Sequence, residues 1–134
     1  MIRLATLLLA IYWVAIFIGT HLPSAVMPRM EWSDKFYHFA GFAGLGFLMS
    51  WAFPSRHQRW QAVFVVVVGF VYTFFDEFTQ SFVPGRVCDV YDMAADAIGI
   101  LIGLGGYFVA RFVLLKSERG KRLIQSLSIS LFKS

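Results

Sequence analysis

Four long apolar stretches in a short chain restrict the possible fold more than any other feature of this sequence. They are predicted as helices at about residues 4–21, 34–53, 60–82 and 91–115 of 134 residues, 58% of which are hydrophobic. A helix needs roughly 20 apolar residues to cross a hydrocarbon core of about 30 Å. One small soluble domain cannot bury this much apolar surface. We therefore predict an all-α fold, a polytopic four-helix transmembrane bundle that forms a single domain over residues 1–134.

The first apolar stretch also has the features of a secretory signal peptide, because Arg3 precedes an uncharged run. The residues before Ala25 do not form a convincing cleavage pattern, and three further apolar stretches follow. We expect the first stretch to remain in the protein as a spanning helix.

The basic residues are divided unequally between the two sides of such a bundle. In or beside the loops after the first and third helices lie three of them: Arg29, Lys35 and Arg86. On the other side lie nine: Arg3, Arg56, Arg59, Arg111, Lys116, Arg119, Lys121, Arg122 and Lys133. Since Lys and Arg are retained in cytoplasmic loops, both termini are predicted to be cytoplasmic. The basic cytoplasmic tail, residues 116–134, could lie on the anionic inner leaflet.

Charge and cysteine content exclude several other classes of protein. The formal net charge is +4, but the basic residues are not interleaved with aromatic residues on a soluble surface, so no nucleic-acid partner is expected. The single cysteine, Cys88, excludes a disulfide within the chain.

Most of the acidic residues cluster on the opposite, outward side. Seven of the eight fall there: Glu31, Asp34, Asp76, Glu77, Asp89, Asp92 and Asp96. Intervals of three, four and seven residues put each set on one helical face, as with Asp34 and His38 or Asp76 and Gln80. A charge that faces lipid costs a few kcal/mol or more. We therefore expect these faces to turn inward and form a shared polar pocket.

Three segments of the chain resemble the signature of VanZ-like membrane proteins. They are DKFYHF at 34–39, DEFTQSFVPGR at 76–86 and DVYDMAADAIG at 89–99. Asp96 departs from the family pattern, in which Asn is usual. The resemblance covers the second through fourth helices and implies a VanZ-like domain in a bacterial cytoplasmic (inner) membrane, with the polar site on the extracytoplasmic side. Members of this family are linked to low-level resistance to the lipoglycopeptide teicoplanin, which implies a role in cell-envelope function.

The first functional hypothesis is binding of an anionic or glycosylated lipid headgroup, or of a lipoglycopeptide. Lys35, His38 and Arg86 could hold a phosphate or another anionic group. Carboxylates and amides could accept hydrogen bonds from sugar or amine groups, which makes the remaining ligand-binding candidates Gln80, Asp89, Asp92 and Asp96. Membrane lipids or lipid-linked envelope glycans are the expected partners.

The second hypothesis is a membrane-embedded hydrolase or transferase that acts on a lipid-linked phosphate or ester. His38 would be the general acid or base, oriented by Asp34 or Asp76, and Glu77 is a further catalytic candidate. A divalent cation is the one cofactor that the residues suggest. Its candidate ligands are Glu77, Asp92 and Asp96, because hard cations prefer oxygen ligands. The sequence contains no recognised nucleophile motif.

A structural ion-pair network is the third interpretation of the same residues. Against it, three basic groups cannot neutralise seven acids at one membrane face.

Gly99 and Gly103 form a G-x-x-x-G pattern in the fourth helix. This pattern predicts close helix packing and is also compatible with a homo-oligomer.

Overall fold

The computed structural model describes residues 4–23, 31–55 and 57–128, and these ranges are helical apart from short turns. The helices are α1 (Leu4–Thr20), α2 (Glu31–Ala52), α3 (Gln58–Gln80), α4 (Val90–Leu114) and α5 (Glu118–Ser128). The predicted all-α class is confirmed for these ranges, which contain no strand. Outside the described residues lie Arg3, Arg29, Arg56 and Lys133, on which the orientation partly depends, and nothing is described of the Glu31 side chain.

The start of α2 and the C-terminal segment differ from the prediction. Helix α2 begins at Glu31, about three residues before the predicted start. Helix α5 occupies part of the predicted basic tail and packs against α1 and α4. That tail therefore forms an additional helix on the bundle.

The closest packing in the protein joins α2 and α4, which make the most extensive contact of any helix pair. A Cβ atom at Gly103 would overlap the backbone of Ala43 and Phe47, and one at Gly99 would overlap Phe39 and Ala43. The predicted role of these glycines in helix packing is thus confirmed, within one chain. A homo-oligomer through Gly99 and Gly103 would have to displace α2.

Polar contacts at one end of the helices show that neighbours run in opposite directions. The Gln61 amide, near the start of α3, donates to the Ser50 carbonyl near the end of α2, at 2.6 Å. The same amide donates to the Tyr107 hydroxyl near the end of α4, at 3.2 Å. The opposite ends of these helices therefore meet at the other end of the protein.

The outer surface of the helices is more apolar than the surface of a typical soluble protein. Large apolar side chains point outward, with Val71 65%, Phe74 63% and Val109 65% exposed, whereas Asp76 and Asp96 are fully buried. Soluble monomers rarely expose such extensive apolar surface. By length and composition α3 and α4 could each cross a membrane, and α1 is apolar but has only 17 residues. These features indicate membrane association.

Candidate functional site

Polar side chains from four helix ends meet at the end opposite Gln61. Six carboxylates and four other polar residues form this acidic cluster. The carboxylates are Asp34, Asp76, Glu77, Asp89, Asp92 and Asp96, and the other residues are Lys35, His38, Gln80 and Arg86. The buried members are at most 5% exposed: His38, Asp76, Glu77, Gln80, Asp92 and Asp96. The predicted convergence of these faces is therefore observed.

Arg86 connects the loop after α3 to α1 and α2. The loop turns at Gly85, whose φ of 78° lies in the left-handed region that glycine adopts without steric cost. The Arg86 guanidinium donates to Asp34 Oδ2 at 2.6 Å and to the Thr20 carbonyl at 3.0 Å. Arg86 thus pairs with one carboxylate and also caps the carboxyl end of α1.

Lys35 bridges two carboxylates at the start of α4. Its ammonium donates to Asp89 Oδ2 at 2.9 Å and to Asp92 Oδ1 at 3.1 Å. Asp89 is the N-cap of α4 and accepts from the Tyr91 amide at 2.8 Å. The Lys35 ammonium, together with this amide, holds the pKa of the Asp89 carboxyl below its usual range. The two permanent cations among the candidates for an anionic ligand, Lys35 and Arg86, are therefore already paired with carboxylates.

His38 and Asp96 form a buried pair. The distance between His38 Nδ1 and Asp96 Oδ1 is 2.9 Å, and the two side chains are 1% and 0% exposed. This corrects the expectation that Asp34 or Asp76 would orient the imidazole through such a bond. Asp34 bonds to Arg86 instead, and Asp76 bonds to other donors, so Asp96 takes the orienting position.

Asp76 and Glu77 are held by uncharged donors. Asp76 Oδ2 accepts from the Gln80 amide at 2.6 Å, and its Oδ1 accepts from the Thr20 hydroxyl at 3.1 Å. Glu77 Oε2 accepts from the backbone amide of Asp89 at 2.9 Å. These bonds position both carboxylates without neutralising their charge.

Thr20 and His21, at the end of α1, also belong to the site, although they were not predicted from the sequence. Beyond the Thr20 contacts, His21 Nε2 lies 2.8 Å from the Thr79 hydroxyl, and its Nδ1 lies 3.9 Å from Asp76 Oδ1. Both residues follow an uncharged helix on the side where the acids cluster, and this position could have predicted that they belong to the site.

The acidic cluster carries an excess of negative charge. Among the described side chains, six carboxylates face two permanent cations, Lys35 and Arg86. Several buried atoms at this end have no hydrogen-bond partner: Asp34 Oδ1, His38 Nε2, Glu77 Oε1, Asp96 Oδ2 and Arg86 Nε. Because most buried polar atoms are bonded in native proteins, these atoms are candidate contacts for water, an ion or a ligand.

Two overlapping groups of side chains have a spacing suitable for a metal ion, and His38 belongs to both. They are His38–Asp76–Asp96 and Asp34–His38–Asp92, each with ligand atoms within 4.8 Å of one another. The trio suggested by the sequence, Glu77, Asp92 and Asp96, is not such a group among the described residues. Glu77 is instead directed to the start of α4 by its bond to Asp89.

An apolar groove of about 390 Å³ lies between α3 and α4. Its walls are Phe70, Thr73, Phe74, Val90, Met93, Ala94 and Ala97. Thr73 and Phe74 precede Asp76 by less than one helical turn, and Met93 follows Asp92 directly. The groove therefore adjoins the acidic cluster on the outer surface of the helices.

Comparison with known proteins was consistent with the sequence motifs. A family model described as VanZ/LLP1 matches residues 6–113. A curated relative, an uncharacterized protein of the fission yeast Schizosaccharomyces pombe, is 30% identical over 96 residues, which cover 72% of this chain and 59% of the relative. The chain thus spans less than two thirds of that relative's length. No solved structure matches the chain. Because the family model covers well over half of its residues, the chain belongs to the VanZ/LLP1 family.

Proposed function

We propose that this protein spans the membrane with α1 to α4 and binds the headgroup of a glycosylated lipid or lipoglycopeptide in its acidic cluster. The membrane is proposed to be a bacterial cytoplasmic membrane, with the cluster on the extracytoplasmic side. The observation that carries the proposal is a buried cluster with excess carboxylates and unbonded acceptor atoms beside an apolar groove.

The charge of the acidic cluster favours a glycosylated headgroup over an anionic one. Lys35 and Arg86 already pair with carboxylates, at 2.6 to 3.1 Å, and no other Lys or Arg of the described ranges contacts the cluster. A bare phosphate would therefore meet net negative charge. Hydroxyl or amine groups, in contrast, would donate to acceptors such as Glu77 Oε1 and Asp34 Oδ1.

The apolar groove supports a ligand that carries an alkyl chain. Its walls are almost entirely apolar, and it opens toward the surface that would face lipid. A headgroup in the acidic cluster would place its chain in or near this groove. Sugar-bearing lipids and acylated glycopeptides of the teicoplanin type share this chemistry, so resistance to such an antibiotic is one role that we propose. The yeast relative favours a more widely distributed lipid as the general ligand.

The decisive experiment compares defined ligands on the purified full chain in detergent by native mass spectrometry. A glycosylated diacylglycerol, phosphatidylethanolamine, phosphatidylglycerol and teicoplanin are each offered to wild type and to Glu77→Gln. We expect the two glycosylated ligands to be retained by wild type and to bind at least tenfold more weakly to Glu77→Gln. Gln can still accept from the Asp89 amide, so the fold should persist.

The matched control is Glu118→Gln, which changes an exposed carboxylate on α5 and should bind as wild type does. Retention of all four ligands to the same extent would contradict the proposal, as would unchanged binding by Glu77→Gln.

The buried His38–Asp96 pair favours a second function, hydrolysis or group transfer on a lipid-linked phosphate or ester. An aspartate that bonds one imidazole nitrogen fixes the tautomer, so that the other nitrogen can accept a proton. Here Asp96 bonds Nδ1 and Nε2 is unbonded. Turnover of such a substrate by wild type, absent in His38→Ala, would support this function. Binding without turnover would support the headgroup-binding function alone.

A further inference from the structure

Three side chains of the acidic cluster, one from each of three helices, have the arrangement of a metal site. His38 of α2, Asp76 of α3 and Asp96 of α4 each offer a ligand atom, and the three atoms lie within 4.8 Å of one another. We propose that His38, Asp76 and Asp96 together bind one divalent cation, either Mn²⁺ or Zn²⁺.

Unbonded buried atoms point to a missing ligand at this trio. His38 Nε2 and Asp96 Oδ2 have no hydrogen-bond partner, although His38 is 1% and Asp96 0% exposed. A buried donor or acceptor without a partner costs about 1–3 kcal/mol. A cation bound by these three side chains would provide a partner for an unbonded atom of His38 or Asp96.

The charges distinguish this trio from the overlapping group Asp34–His38–Asp92. In that group Asp34 accepts from Arg86 at 2.6 Å and Asp92 from Lys35 at 3.1 Å. Asp76 and Asp96 bond to no Lys or Arg of the described chain. A divalent cation would therefore neutralise two of the three carboxylates of the cluster that lack a permanent cationic partner; the third is Glu77, which accepts from the Asp89 amide.

The His21 imidazole at the end of α1 also lies near Asp76. His21 Nδ1 lies 3.9 Å from Asp76 Oδ1, but the same nitrogen lies closer, at 2.8 Å, to the Phe17 carbonyl oxygen, a hydrogen-bond acceptor. His21 is thus directed mainly to the backbone of α1 and leaves Asp76 available to a metal ion.

The ligand chemistry selects the type of cation. One imidazole with two carboxylates suits Zn²⁺ or Mn²⁺, whereas Ca²⁺ and Mg²⁺ take oxygen ligands. Metal ligands are usually oriented by further hydrogen bonds. Gln80 and Thr20 provide these for Asp76, at 2.6 and 3.1 Å. Such an ion would fix α2, α3 and α4 to one another.

The test uses the full chain in detergent, stripped with a chelator and then titrated with Mn²⁺ in the absence of added lipid. Electron paramagnetic resonance measures free and bound Mn²⁺, and pulsed spectra report nitrogen coordination. We expect one Mn²⁺ per chain with a ¹⁴N coupling from His38, displaced by Zn²⁺. Asp96→Asn should weaken binding about 100-fold or more, because even outer-shell changes cost about 10–100-fold. Glu118→Gln should bind as wild type does.

Three results would overturn the proposal: no stoichiometric binding of Mn²⁺ or Zn²⁺, bound Mn²⁺ without nitrogen coupling, or a larger loss in Asp92→Asn than in Asp96→Asn. The nitrogen coupling is measured on wild type, so a variant that fails to fold does not affect it. Metal binding and headgroup binding are measured separately. Lipid selectivity without a metal overturns only this inference, and metal binding without lipid selectivity overturns only the proposed function.

Discussion

Asp89 shows how a single residue can serve several elements of this protein. Its side chain caps α4 through the Tyr91 amide and accepts from Lys35 of α2. Its own backbone amide donates to Glu77 of α3. Because the Lys35 ammonium and the Tyr91 amide both favour the ionised carboxylate, the pKa of Asp89 is lowered. Its charge therefore contributes to the junction of three helices.

Replacing Asp89 with Asn isolates the contribution of that charge. Asn is also a good N-cap, so the bond to the Tyr91 amide can persist while the ion pair with Lys35 is lost. Above the ordinary carboxyl pKa of about 3.9, wild type should be more stable by up to about 1 kcal/mol. Since the folded-state pKa is lowered, this difference should shrink as the pH falls below that value.

Thermal unfolding of both proteins in detergent between neutral and acidic pH measures this difference. A difference that grows on acidification would contradict the assignment of the ion pair.

Arg86 connects two helices through its hydrogen bonds, in line with the ion-pair interpretation of the sequence. Its guanidinium, 8% exposed, bonds both Asp34 and the last carbonyl of α1. Arg86→Ala would leave both acceptors without their donor, and we expect a loss of about 2 kcal/mol in the free energy of unfolding. The comparison is Arg119→Ala, which removes an exposed guanidinium on α5. Equal unfolding temperatures for the two variants would show that the Arg86 contacts do not stabilise the fold.

At the scale of elements, the contact between α2 and α4 positions the acidic cluster. Gly99 and Gly103 allow the two backbones to approach closely, and Gly46 of α2 does the same against Ile100. This approach brings His38 of α2 within bonding distance of Asp96 of α4. The close packing of the helices is thus a condition for the buried pair.

Two alanine substitutions on α4 test this packing with matched chemistry. In Gly103→Ala the new methyl group would overlap Ala43, whereas in Gly105→Ala it would meet no atom within 4 Å. Overpacking costs about 1–3 kcal/mol or more, so Gly103→Ala should be clearly destabilised, and Gly105→Ala should unfold as wild type does. Unfolding in detergent, followed by circular dichroism, measures both. Similar stability of the two variants would contradict the observed contact.

The sequence predicted the elements better than the contacts between them. Periodicity and helix-stop residues predicted α1 to α4, and the spacing of Asp89, Asp92 and Asp96 placed them on one face. Spacing does not give the rotation of one helix against another, so the partners Lys35–Asp89 and His38–Asp96 could not be predicted. The contribution of Thr20 was missed because a backbone carbonyl and a hydroxyl do not appear in a charge pattern.

At the scale of the molecule, the arrangement of polar and apolar groups indicates the solvent of the protein. Phenylalanine and valine side chains cover the outside of α3 and α4, and carboxylates are enclosed at one end. At the other end, Gln61 and Arg111 both donate to the Tyr107 hydroxyl, and Arg111 is the one charged residue among these contacts in the described structure. A membrane that solvates the apolar surface, with the acidic cluster at one of its faces, accounts for this distribution.

The proposed orientation makes the two ends of the protein chemically distinguishable. Cys88 is the single cysteine of the chain, and it is exposed in the loop between Arg86 and Asp89, beside the acidic cluster. Ser117, between α4 and α5, is also exposed and lies beyond the far end of α4. The double variant Ser117→Cys, Cys88→Ser therefore has a single cysteine at the opposite end of the protein, and its labelling reports on that side of the membrane.

Labelling with a membrane-impermeant maleimide in intact spheroplasts tests whether the protein spans the membrane with the acidic cluster outside. If α1 to α4 cross the membrane with the acidic cluster outside, Cys88 is labelled in intact spheroplasts, and the Ser117→Cys, Cys88→Ser variant is labelled only after permeabilisation. Labelling of both positions before permeabilisation, or of the position-117 cysteine alone, would contradict a spanning protein with an outward-facing acidic cluster.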